Sequence, residues 1–299
     1  MSIARRLISV QGELEAFSFD IQTTSADTVY ELPLTTVDGL QPNITVDWGD
    51  GNTDTITSIS DTEREHTYST ANTYTIKISG ELPGFKVNNS SSYRNLYTAV
   101  NNWGRVGIRE LDFYGCSNLD TLPVDISNNA INNEGLNNVI RFDNTFRETG
   151  LSIIPSGIFD FSENVISFTN TFAFSNGITS IPSGLFDNNT NVLIMAGTFN
   201  ALTRLTQIPS GLFNNNIDIQ NFQSVFRNCR DLTEIPIGLF DNNQNVTTFA
   251  NAFNMASTAN DLAGDAPELW TRDPEPLGTD CFAFCTGLNN FASIPNNFK

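Results

Sequence analysis

The stretch VDWGDGNTDT brings three aspartates, Asp47, Asp50 and Asp54, onto one short turn, and the chain's single histidine, His66, follows closely. Hard carboxylate oxygens gathered on a turn suit Ca²⁺. The same residues also serve turn chemistry, because an Asp side chain accepts hydrogen bonds from nearby backbone N–H groups. Both readings apply: a calcium site at Asp47, Asp50 and Asp54, and local turn bonding, which is the simpler of the two. His66 has no nucleophile beside it in a recognisable motif, so it reads as a structural side chain rather than a base. Four cysteines, Cys116, Cys229, Cys281 and Cys285, form no CxxC pair. With one histidine in the chain, that argues against zinc. No GxSxG, P-loop, Rossmann glycine pattern or metal-ligand spacing occurs. A groove with paired carboxylates can hydrolyse glycans, but no acidic pair stands at repeat-equivalent positions. The expectation is a protein without catalysis and without a cofactor other than calcium.

The totals bound the partners. A length of 299 residues accommodates two domains, and 23 Phe among 39% hydrophobic residues require a packed core. Only 16% of residues are charged. The polar remainder is mostly Asn, Thr and Ser, which fits a β-rich surface protein. A net charge of −18 repels a duplex phosphate backbone and an anionic membrane surface, so nucleic acid is excluded as a partner. The segment MSIARRLISVQGELEAFSFDIQ lacks the apolar run and cleavage site of a secretory signal. No stretch has the length of a membrane span, so membrane insertion is not expected.

The elements that must position these residues change character along the chain. From Phe17 the pattern alternates: Phe17, Phe19 and Ile21, then Ile44, Val46 and Trp48, then Tyr74, Ile76 and Ile78. Period-two runs separated by Gly, Asn and Asp read as antiparallel strands, with Asp50-Gly51 supplying a tight hairpin. The motif WGDG at 48–51, HTY at 66–68 and ANTYTIKISG at 71–80 resemble the PKD-type immunoglobulin-like family, with Asn72 where that family usually has Gly. The resemblance spans roughly residues 15–90. It implies a β-sandwich with a spacer or adhesive role over 16–90, preceded by an arm at 1–15. Residues 91–110 read as a linker and cap. NNSSS is the most linker-like run, and Tyr93, Tyr97 and Trp103 return the chain to packing.

Residues 111–299 are repetitive. The anchor IPxG[IL]F starts at Ile154, Ile181, Ile208 and Ile235, each 27 residues after the last. A fixed period in this range marks a solenoid, whose apolar residues are buried against their equivalents in neighbouring coils. Each repeat has two halves, starting at Ile178, Val192, Leu205, Ile219, Leu232 and Val246, at alternating steps of 14 and 13. Each half reads as a short strand (φ-T-x-φ) followed by about one helical turn. The recurring Pro ends the strand, and the DNN clusters occupy outer turns. Cys116, Cys229 and Cys285 each follow a Phe by three residues, in a slot that Thr149, Ser175 and Ala256 also fill. They read as small packing residues, and Cys281 is too close to Cys285 for an expected disulfide. The chain stops at NNFK just after an anchor, so a second chain is expected to cover the last coil.

The units F-x-x-C-x-x-L-T-x-I-P-x-G-L-F resemble the BspA-like leucine-rich-repeat surface proteins. That family occurs on bacterial surfaces and in phage-encoded proteins, often behind an immunoglobulin-like module. The fold expected is therefore mainly β, an immunoglobulin-like β-sandwich followed by a leucine-rich-repeat-like solenoid. The function it implies is surface recognition by a phage virion component, either a tail fibre or a receptor-binding adhesin. A decoration protein of a capsid or tail and a bacterial cell-surface adhesin are the alternatives. The arm at 1–15 would dock on other virion proteins. Thr179, Ser180, Thr206, Gln207, Thr233 and Glu234 would line the strand face that meets a host-surface protein or glycan. An oligomer is open, although no heptads specify one.

Overall fold

The computed structural model describes residues 16–87, 92–123, 134–255 and 262–299. The arm at 1–15 lies outside the described residues. The chain divides into two compact units, Met1–Val139 and Ile140–Lys299. Among the described residues it is mainly β, with antiparallel pairing in the sheets except at one parallel edge, and no barrel. Every helical segment among the described residues is a three-residue 3-10 turn, so none is long or apolar enough to cross a membrane.

The first unit contains β1 (Phe17–Gln22), β2 (Thr28–Glu31), β3 (Leu34–Thr35), β4 (Asn43–Asp47), β5 (Thr53–Ile56), β6 (Glu65–Tyr68), β7 (Thr73–Glu81), β8 (Gly84–Lys86), β9 (Tyr97–Asn102) and β10 (Glu110–Asp112). A five-stranded sheet runs β5-β4-β7-β1-β9, a three-stranded one β10-β8-β3, and a pair β2-β6. Alternation sets the register. Phe17, Phe19 and Ile21 of β1 sit opposite Ile78, Ile76 and Tyr74 of β7, and all six are buried. The segment expected as a linker and cap contributes strands instead. β9 pairs antiparallel with β1, and β10 pairs parallel with β8. Trp103 and Phe113 fill the same aromatic core as Phe17 and Phe85. These pairings tie residues up to Asp112 to the first unit, where they cover edges of β1 and β8.

In the second unit, residues 26–29 apart, most often 27, lie side by side. Parallel bridges run Arg141–Ser167, Ser167–Ile194, Ile194–Asn221, Asn221–Thr248 and Thr248–Leu277. Alternate amides extend each contact. Met195, Gly197, Phe199 and Ala201 donate to the carbonyls of Asn221, Gln223, Val225 and Arg227 at 2.6–3.0 Å. Only the half that begins with Val or Ile carries this ladder. The Leu/Ile-Thr half gives one bond per contact, Thr206 N to Thr179 O and Thr233 N to Thr206 O. The expected pair of equivalent strands is therefore not formed. The physical reason is the Pro after the second apolar residue (Pro182, Pro209, Pro236), which lacks an N–H and restricts its predecessor. In place of the helical turns expected after each strand, the chain makes hydrogen-bonded turns. In the Pro-x-Gly-Leu turn, Gly211 holds φ +76, as a type II turn requires.

Aromatic rings make the interior continuous. Phe159, Phe186, Phe213 and Phe240 form one file with centroids 6.0–6.2 Å apart. Phe172, Phe199, Phe226, Phe253 and Phe282 form another at 5.4–6.1 Å. The DNN clusters have an inward role as well as an outward one. The buried Asn216 side chain donates to Phe186 O and Asn189 O, and Asn243 repeats this with Phe213 O and Asn216 O. Arg272 then takes the place of the next asparagine, donating to Asn243 O and Phe240 O at 2.7 Å.

The last residues pack onto the repeat before them. Phe298 is fully buried, packs against Trp270, and its carbonyl accepts from Phe282 N at 2.8 Å. Gly278 makes room for it, since a Cβ there would lie 2.1 Å from the Phe298 ring.

Asn216→Ala is expected to cost about 1–3 kcal/mol, because two inward carbonyls each lose one of two donors and a buried side chain is removed. Asn215→Ala, on the exposed neighbour, is expected to stay within about 0.5 kcal/mol. Urea unfolding of both variants checks the contrast.

Candidate functional site

The three aspartates of the β4–β5 hairpin are each consumed locally. Asp47 accepts from Gly49 N at 2.9 Å, Asp50 from Asn52 N at 3.0 Å, and Asp54 from the Trp48 indole at 2.8 Å. Among the described residues no group of three or more His, Cys, Asp or Glu is arranged to hold a metal. His66 is half-buried, with Nε2 2.8 Å from Asp50 and its ring stacked on Trp48 at 4.7 Å. The Tyr68 hydroxyl donates to Trp48 O at 3.0 Å. The WGDG and HTY residues thus lock one hairpin against its neighbour strand. Burial opposes the charge on Asp50, but the His66 and Asn52 hydrogen bonds outweigh it and hold the carboxyl below its usual value.

Burial pushes the Cys229 and Cys285 thiols up to about 12, and raises Cys116 and Cys281 as well. All four are free, buried thiols, unlike the low-pKa thiolate a nucleophile needs. Their slot has a further requirement that the sequence reading missed. Ser175, Cys229 and Cys285 donate to the carbonyls of Phe146, Phe199 and Phe253 in the preceding repeat. A donor to the preceding repeat recurs at these three positions, while Ala256 fills the slot without one.

The six residues expected on a ligand face, Thr179, Ser180, Thr206, Gln207, Thr233 and Glu234, are all exposed. The structure brings them together as three adjacent pairs. Their backbones are tied by the Thr bonds above, and the Thr233 hydroxyl donates to Thr206 O at 3.2 Å. Of the six, only Glu234 forms a bridge, with Ala263. On either side of each pair the apolar residues point inward: Ile178 and Ile181, Leu205 and Ile208, Leu232 and Ile235 are buried. The repeat adds a fourth pair that was overlooked, Ser152 and Ile153. Both are exposed, Ile153 by 67%. The offset from Ile154 that gives Ser180, Gln207 and Glu234 gives Ile153 as well. The result is a surface two residues wide and four repeats deep, fixed underneath and variable on top. Comparison with known proteins yields no match to any family model and none to any curated protein.

One half-buried carboxyl stands out. Burial pushes Asp112 up to about 6, against the Tyr114 amide and the Lys86 charge, which lower it. An unfolded Asp titrates near 3.9. Between pH about 4 and 6 the folded state therefore holds the extra proton, and stability falls as pH rises through that window. Asp112→Asn is expected to remove this fall. Its melting temperature, relative to the parent, should rise from pH 4 to pH 7. A constant difference across those pH values would contradict the assignment.

Proposed function

We propose that this chain is a non-catalytic recognition protein of a virion surface, a tail fibre or receptor-binding adhesin. In this reading the first unit is an immunoglobulin-like β-sandwich of PKD type. The second is a leucine-rich-repeat-like solenoid. Support for the sandwich comes from the five-stranded antiparallel sheet, the separate smaller sheets, and the WGDG and HTY residues joined at one hairpin. Support for the solenoid comes from the parallel bridges at repeat spacing and the two phenylalanine files.

The observation that carries the functional reading is the four-repeat face. Ser152/Ile153, Thr179/Ser180, Thr206/Gln207 and Thr233/Glu234 are exposed above a constant Leu/Ile floor. Repeats that keep their inward residues and vary their outward ones present a rigid, editable surface, and such arrays serve as extended binding surfaces. Hydroxyls, an amide, a carboxylate and one isoleucine suit a host-surface protein or glycan.

Antibody labelling of particles and cells from the source, viewed by electron microscopy, tests the location. Label on virus tails or capsids is expected. Label only on cell envelopes would overturn the virion reading and leave a bacterial adhesin. Binding of purified protein to the host cells tests the face. The variant Ser180→Arg, Gln207→Arg, Glu234→Arg is expected to lose at least about tenfold in affinity, with its melting temperature preserved because all three side chains are exposed.

A further inference from the structure

We propose that a cleft in the first unit, bordered by Arg105 and Arg109, binds a sugar that carries a carboxylate. The cleft encloses about 380 Å³, within the size range of small-molecule sites. Leu40, Gln41, Glu81 and Asn138 complete the wall with the two arginines. In the segment Arg105-Val106-Gly107-Ile108-Arg109, Val106 and Ile108 are buried while the two arginines stay exposed. The backbone is pinned by Leu82 N to Val106 O at 2.7 Å and Arg109 N to Pro83 O at 2.9 Å. Gly107, at φ +77, has open space where a side chain would stand.

Several cations of the chain are already engaged. Arg64, Lys86, Arg141 and Arg147 are each paired with a carboxylate. Neither the Arg109 guanidinium nor the Glu81 carboxylate makes a hydrogen bond or ion pair among the described residues. Both border the cleft and are available to a ligand.

The chemistry of these groups selects the ligand class. A planar guanidinium fork matches a carboxylate. Ionised Glu81 only accepts hydrogen bonds, so it favours ligand hydroxyl donors on its own side of the cleft and disfavours a ligand with more than one negative charge. Gln41 and Asn138 both donate and accept. Leu40, 45% exposed, offers an apolar patch for the C–H face of a ring. A net charge of −18 repels polyanions over distance, so one carboxylate on an otherwise neutral ring fits better than a sulfated polymer.

Titration calorimetry on the full chain, with sodium glucuronate as probe and glucose and acetate as controls, tests this. Glucuronate is expected to bind saturably and at least about tenfold more tightly than either control. Arg109→Ala is expected to lose about tenfold or more in affinity at unchanged melting temperature, and Arg109→Lys to fall between the two. No glucuronate binding would overturn the proposal. Acetate binding equally well would make the cleft a plain anion site. Glucose binding equally well would make it a neutral-sugar site. Unchanged affinity in Arg109→Ala would place the binding elsewhere. The measurement involves no particle or cell, so its failure leaves the virion reading untouched.

Discussion

The second unit depends on phenylalanine rings that no single 27-residue segment can bury. Phe199 touches Phe172 on one side and Phe226 on the other, with the rings within 5–7° of parallel. Each such contact contributes about 0.5–1.5 kcal/mol beyond its buried area. A register slip of one residue would move every ring of a segment out of its file, so the rings fix the alignment before any polar group is considered. The backbone then has to live with that alignment. It turns several carbonyls inward, and each needs a donor. The asparagine file of Asn189, Asn216 and Asn243 answers one set. The Ser175, Cys229 and Cys285 slot answers another. Where the repeat ends, unlike residues meet the same demand, with Arg272 supplying the donors and Phe298 the buried aromatic surface.

Much of this was legible in the residues, and what was not has a common cause. The period, the inward Phe and Leu/Ile positions, and the six exposed residues of the face follow from one-dimensional spacing, because neighbours in space are a fixed number apart in sequence. The alternation of β1, β4 and β7 was legible for the same reason. The fate of 91–110 was not, since β9 meets β1 and β10 meets β8 through pairings that no periodicity announces. The choice of ladder-bearing half was written in the sequence but overlooked. Val139, Val165, Val192, Ile219 and Val246 are β-branched in every repeat, as an extended backbone favours, whereas the other half runs into Pro. The donor role of the cysteine slot was hidden because Ser, Thr and Cys share small size as well as hydrogen-bonding ability, and sequence shows only the former pattern.

Carboxylates show how the same economy shapes electrostatics. Asp47, Asp50 and Asp54 sit close in sequence yet bind different partners, since each satisfies a group exposed by its own turn. Proximity in sequence brought them near one another without aiming them at one point. Asp61 behaves alike. The backbone amide of Thr57 leads the interactions that hold its carboxyl below the usual value. Asp47, Asp50 and Asp61 each finish a turn.

A scaffold that supplies donors to its inward carbonyls from within leaves outer side chains free of that duty. Thr179, Gln207 and Glu234 hold no buried group in place, so their identities can change at little cost to stability. The backbone beneath them is nevertheless held on both sides by buried Ile and Leu. Binding by such a surface requires little ordering of the protein, and the cost of association is reduced accordingly. The cleft at Arg105 and Arg109 follows the same logic in the first unit. Buried Val106 and Ile108 fix the segment, and two paired backbone amides hold it against its neighbour. Arg109 is thereby positioned with its guanidinium uncommitted, unlike Arg64, Lys86, Arg141 and Arg147, which hold carboxylates within the fold.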